Sequence, residues 1–170
     1  MAAQRFLAFI GGRLKQVAAT IASAGAADDG KLVGLDASGR LDPTVMPTGV
    51  GAQTKIVTSS EILAAGDLIN LHISSGDKVR KADATAEGKE VHGFVLAGFG
   101  NGASATIYLG GTMTGLSGLV AGTRYYLSAS TPGALTATPP ATAGNVVQFV
   151  GIAISATELD FDPADPVTLA

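Results

Sequence analysis

The chain has no cysteine and no tryptophan, and its aromatic residues are six Phe and three Tyr among 170 residues. Without cysteine there are no disulfides, no thiolate metal sites and no cysteine nucleophile. Charged residues make up 15% of the chain, against about 25% in ordinary soluble domains. The net charge of −3 argues against a general nucleic-acid binder. No apolar run approaches the roughly 20 residues that a membrane helix needs. Arg13 and Lys15 interrupt the N-terminal apolar segment too early for a signal peptide, so the expectation is a soluble, unprocessed protein.

What is abundant is small and apolar: 46% hydrophobic residues, many of them Ala, and 23 Gly. The few charges are unevenly placed. Residues 1–23 hold Arg5, Arg13 and Lys15 with no acid (+3), residues 24–54 sum to −2, and residues 55–170 hold six bases against ten acids (−4). These shifts coincide with changes of pattern, and they divide the chain into residues 1–23, 24–54 and 55–170.

In the first segment Leu7, Ile10, Leu14, Val17 and Ile21 recur at spacings of 3, 4, 3 and 4, with Phe6 beside them. That stripe predicts a short amphipathic helix, although Gly11 and Gly12 each cost it about 1 kcal/mol relative to Ala. Such a helix is marginal alone and needs a surface to pack on, either the chain's own β domain or else another subunit or a larger partner. Residues 24–54 carry glycines and prolines too often for a long helix or a central strand, among them Gly25, Gly30, Gly34, Gly39, Pro43, Pro47, Gly49 and Gly51. Leu32, Val33, Leu35, Leu41, Val45, Met46 and Val50 make this segment more apolar than a flexible tether. It reads as an extended arm lying along another surface.

From residue 55 onward, short β-type segments recur between turn signals. Expected strands are Lys55–Ser59, Asp67–Ile73, Lys78–Ala82, Gly93–Phe99, Ala105–Leu109, Thr123–Ser128, Ala134–Thr138, Val146–Ser155 and Glu158–Phe161. Turns are expected at Ser74–Asp77, Asn101-Gly102, Pro132-Gly133 and Ala156-Thr157. The expected fold is mainly β: a compact antiparallel sandwich or barrel preceded by a short N-terminal helix and an extended arm.

Catalytic patterns are sparse. His72 and His92 have no metal-ligand spacing, and Asp160, Asp162 and Asp165 lack the calcium-loop pattern. The glycines at Gly110, Gly111, Gly115 and Gly118 are not followed by a phosphate-loop Lys. Lys78, Arg80 and Lys81 form a basic patch without an aromatic platform, which suits a solvated edge strand. A glycan hydrolase would need a carboxylate pair, for which Asp67, Asp77, Asp83, Glu87 and Glu90 are available but mostly near turns. The expectation is a non-enzymatic protein with no cofactor and no metal.

Three stretches resemble virion structural proteins of tailed bacteriophages. GKLVGLDASGRLDPTVMPTGVG, residues 30–51, resembles a connector near the N-terminus of head- and tail-attached proteins. AGTRYYLSASTPGALTATPPATAGNVVQFVGIAISATEL, residues 121–159, looks like a β module of fibres and capsid-bound proteins, and residues 65–84 are similar to small decoration-type β domains. The resemblance implies a structural role on the capsid exterior of a virion assembled in a host cytoplasm. Its partners would be the major capsid protein and itself as a homotrimer, with another virion protein as a further candidate and no nucleic acid or membrane. On that footing Phe6, Leu7, Ile10, Leu14, Val17 and Ile21 would serve assembly. Leu32, Val33, Leu35, Leu41, Val45 and Met46 would face the shell. A short head or tail fibre is the alternative role, with Tyr108, Tyr125 and Tyr126 as candidate sugar-stacking residues.

Overall fold

A computed structural model describes residues 5–37, 39–46 and 53–170 of the chain. The arm positions Pro47, Gly49, Val50 and Gly51 lie outside the described residues. The chain divides into two compact units, residues 1–51 and 52–170.

In the first unit β1 (Arg5–Ile10) and β2 (Arg13–Ala18) form an antiparallel hairpin whose register runs from Arg5↔Ala18 to Ile10↔Arg13. The expected helix over residues 1–23 is therefore wrong for residues 5–18. Gly11 and Gly12 explain why: both adopt positive φ, 62° and 78°, as a two-residue hairpin turn requires. Glycine takes those angles freely, whereas two adjacent glycines weaken a helix by about 2 kcal/mol. The flanking run Phe6-Leu7-Ala8-Phe9-Ile10 is nearly continuous in apolar residues, so its helical spacing carries little information. Beyond the hairpin, Thr20 N–H donates to the Leu32 carbonyl and Gly34 N–H donates to the Thr20 carbonyl, both at 2.9 Å. Single 3-10 turns lie at Ala26–Asp28 and Pro43–Val45, so the arm is folded locally within an otherwise irregular path.

The second unit is mainly β. Five strands close a barrel in the order β3-β5-β4-β6-β7: β3 (Thr54–Ser59), β4 (Leu68–Ile73), β5 (Asp77–Lys81), β6 (Gly93–Phe94) and β7 (Ser104–Tyr108). Four of the five pairings are antiparallel; β3 and β5 pair in parallel through Thr58↔Lys78 and Ser59↔Val79. The β4–β5 hairpin turns at Ser74–Gly76, where Ser75 has φ 55° and Gly76 φ 104°. Val57, Leu63, Ile69, Val79, Val95, Ala105 and Ile107 fill one core.

A five-stranded antiparallel sheet follows in the order β10-β9-β12-β13-β8: β8 (Gly111–Met113), β9 (Arg124–Leu127), β10 (Leu135–Thr136), β12 (Phe149–Ala153) and β13 (Leu159–Phe161). A short pair, β11 (Val146–Val147) with β14 (Val167–Thr168), completes the unit. Side chains alternate along these strands, so barrel residues Leu68, Ala82, Val91 and Phe94 join Met113, Tyr125, Leu127, Val150, Leu159 and Phe161 in a second, larger core. Phe94 anchors it, stacking on Tyr108 (centroids 5.4 Å) and meeting Phe161 edge-on (5.1 Å).

Candidate functional site

The first unit differs from an ordinary small domain in where its apolar side chains go. Among its described residues none is buried. In the hairpin, directly paired residues share a face. Leu7 and Phe9 with Leu14 therefore make one apolar face, at 70%, 74% and 70% exposure, and Arg5 and Gln16 lie on the same side, joined by a 3.2 Å hydrogen bond. The opposite face carries Phe6, Ala8 and Ile10 against Val17, Lys15 and Arg13, with Ile10 exposed and Phe6 and Val17 half-buried. The structure thus divides the residues expected to form one stripe between two faces, and it adds Phe9, which the helical spacing missed. Alternation along a β ribbon would have found Phe9, had Gly11-Gly12 been read as a turn.

Ile21, Leu32, Val33, Leu35 and Leu41 are also exposed, and Val45 and Met46 are half-buried. The arm is held by polar contacts instead of a core. Ser23 N–H donates to Thr44 Oγ1 at 2.7 Å, and Asp28 accepts from Ala24 N–H and from Lys31 Nζ at 2.6 Å. The Lys31 ammonium, helped by the Ala24 amide, holds the Asp28 carboxyl below its ordinary range. Thr44 does the same to Asp42 through its hydroxyl and its amide.

Charge reinforces the contrast. Arg5, Arg13 and Lys15 take part in no ion pair among the described residues. In the second unit, by contrast, Lys55, Lys81 and Lys89 pair with Asp77, Asp67 and Asp83. Burial opposes ionisation of Asp83, but hydrogen bonds from Thr85 and Lys89 outweigh it and hold its carboxyl below the usual range.

The polar groups singled out in the second unit have structural occupations. His72 Nε2 lies 2.9 Å from Ser60 Oγ, and burial holds its imidazole below the usual range, with Arg80 adding to the effect and Glu61 opposing it. His92 Nδ1 accepts from Leu71 N–H at 3.0 Å. Arg80 donates to Asn70 Oδ1 and to the Gly88 carbonyl. Among the described residues no three His, Asp or Glu side chains gather as a metal site would require. Gly115, Gly118, Gly66 and Gly133 line a shallow cleft of about 410 Å³ beside Asp67. Asp67 Oδ2 there is already engaged by Ala64 N–H and Lys81.

The three tyrosines are committed as well. Tyr108 stacks on Phe94, Tyr125 is buried with its hydroxyl accepting from Val120 N–H, and Tyr126 packs edge-on against Phe149. No protein-family model matches the chain, and no curated protein matches it.

Proposed function

We propose that the chain is a bacteriophage virion structural protein, a capsid decoration or cement protein, with no enzymatic activity and no cofactor. It assembles as a homotrimer and grips the outer surface of the shell through its N-terminal unit. One observation carries this reading: the first unit leaves most of its large apolar side chains exposed, while the second buries two cores of its own. Exposed apolar surface of that extent marks an interaction site. The resemblance of residues 30–51, 65–84 and 121–159 to phage virion proteins supplies the kind of partner, the major capsid protein.

The action is mechanical. Leu32, Val33, Leu35, Leu41, Val45 and Met46 are removed from water when the arm lies on neighbouring shell subunits, which adds buried area across their junctions. Binding the mature shell in preference to its precursor stabilises the mature state by mass action.

Copy number per virion, measured by quantitative mass spectrometry against the major shell protein, tests this directly. A ratio near one-to-one is expected. A handful of copies would replace the decoration role with that of a head or tail fibre, and absence from purified particles would overturn both. In a reconstitution, Leu32→Asp with Leu35→Asp should abolish binding to purified shells and leave the second unit folded. Full binding by that variant would remove the arm from the contact.

A further inference from the structure

We infer that the hairpin docks on a second copy of this chain, against the outward face of strands β12 and β13. The hairpin offers Leu7, Phe9 and Leu14 on one face together with Arg5, which has no ion-pair partner among the described residues. The β12–β13 face has the matching character. Ile152 pairs with Asp160 across the strands, and Ile154 N–H bonds the Glu158 carbonyl, which places these four side chains together on one side. Ile152 and Ile154 are exposed, at 42% and 54%, and so is Asp160.

Charge complementarity selects the occupant. After Arg124 the chain has no Lys, Arg or His, while Glu158, Asp160, Asp162 and Asp165 fall within eight residues. None of these acids takes part in an ion pair among the described residues. Arg124, opposite Ile152, is the one cation in register with this face, and its guanidinium lies 5.9 Å from the Phe149 ring centroid. Of the hairpin's cations Arg5 shares the face of Leu7, Phe9 and Leu14, whereas Arg13 and Lys15 project from the other side of the ribbon. Two hairpins meeting through this face would bring like charges, Arg5 of each copy, to one surface. A hairpin on the β12–β13 face sets Arg5 against carboxylates.

The contact is heterologous: different surfaces of the two chains meet, and repetition closes a ring where the rotation permits. This deepens the proposed self-assembly and rests on that part of it, but not on shell binding. Because the chain has no native cysteine, introduced pairs test it cleanly. Full-length Leu14→Cys and Ile152→Cys proteins, carrying tags of different mass, are mixed under mild oxidation without shells. A disulfide joining the two variants is expected, with neither variant cross-linking alone. Self-linking of Leu14→Cys would mean that hairpins meet each other, and no link in the mixture would likewise overturn the docking. The exposed Asp160→Lys variant should sediment as a monomer at a concentration where the native chain is oligomeric, with unchanged melting. An unchanged oligomer would refute the assignment even if virion copy number supported a decoration role.

Discussion

Phe9 and Phe94 both sit in short antiparallel strands, yet Phe94 is 1% exposed and Phe9 is 74% exposed. Around Phe94, strands from two sheets supply a surface on each side: Tyr108 stacks on one flank and Phe161 meets another. Around Phe9 there is a single two-stranded ribbon, with no second layer in its own sheet among the described residues. The difference lies in the surroundings and not in the side chains. Where layers are available, apolar residues hold the unit together; where they are not, the same residues stay exposed, and turn chemistry with polar links such as Ser23–Thr44 and Asp28–Lys31 keeps the local shape.

Four measurements would break or sharpen that comparison. The largest effect belongs to Phe94→Ala, which empties the centre of the larger core and should destabilise the second unit by about 3–5 kcal/mol in denaturant melts. Phe9→Ala should leave that transition within about 0.5 kcal/mol, the range of an exposed substitution, and act on assembly instead. Equal effects of the two would erase the distinction between the units.

Next comes Gln148→Leu. This buried amide accepts from Val91 N–H at 2.7 Å and donates to the Val91 and Ala164 carbonyls, both at 3.2 Å. Leucine fills similar space but strands those backbone groups, for a loss of about 2–4 kcal/mol. A neutral result in the same melts would mean that water replaces the amide.

Gly12→Val comes third. Its φ of 78° is strained for any side chain and most for a β-branched one, so the turn should lose about 1–2 kcal/mol. Amide exchange in β1 and β2 should accelerate while exchange in the barrel stays constant.

The smallest effect is a pH dependence. His72 is held below its ordinary value near 6.5, so the unfolded chain takes up its proton first as pH falls. Its contribution to the stability of the second unit is full above about pH 6.5 and declines below it. Asp28 and Asp42 are also lowered, so their contributions to the arm are present above about pH 3.9 and are lost as pH falls through their folded values. His72→Gln should flatten the barrel's dependence between pH 5 and 7; an unaltered slope would place its origin elsewhere.

Much of the second unit is legible in the sequence because its strands are bounded by glycine-rich turns. β3, β4, β5, β7 and β9 fall within a residue or so of the segments expected from alternation and turn signals. The failures share a cause, which is that pairing depends on partners distant in sequence. Only Gly93–Phe94 of the expected Gly93–Phe99 strand joins a ladder, because Val95 N–H turns to the Asp67 carbonyl and Phe99 bridges Leu63 instead. β8 and β14 are three and two residues long and pair with segments far along the chain, so no local pattern announces them. The parallel β3–β5 contact is fixed by barrel closure, which periodicity does not encode. For the proposed interaction surface, charge segregation and the excess of apolar residues near the N-terminus are visible in the residues. The pairing of Leu7 and Phe9 with Leu14 appears only once Gly11-Gly12 is taken as a turn.

The barrel is built from residues 54–108, and the sheet that covers its outward apolar residues is not complete until Phe161. Chains are synthesised at about 5–20 residues per second, so the interval between those two points lasts roughly 3–10 s. Hairpins close in microseconds, far faster than that. Until Phe161 has been synthesised, Leu68, Val91 and Phe94 therefore lack the full set of sheet residues that cover them in the folded chain.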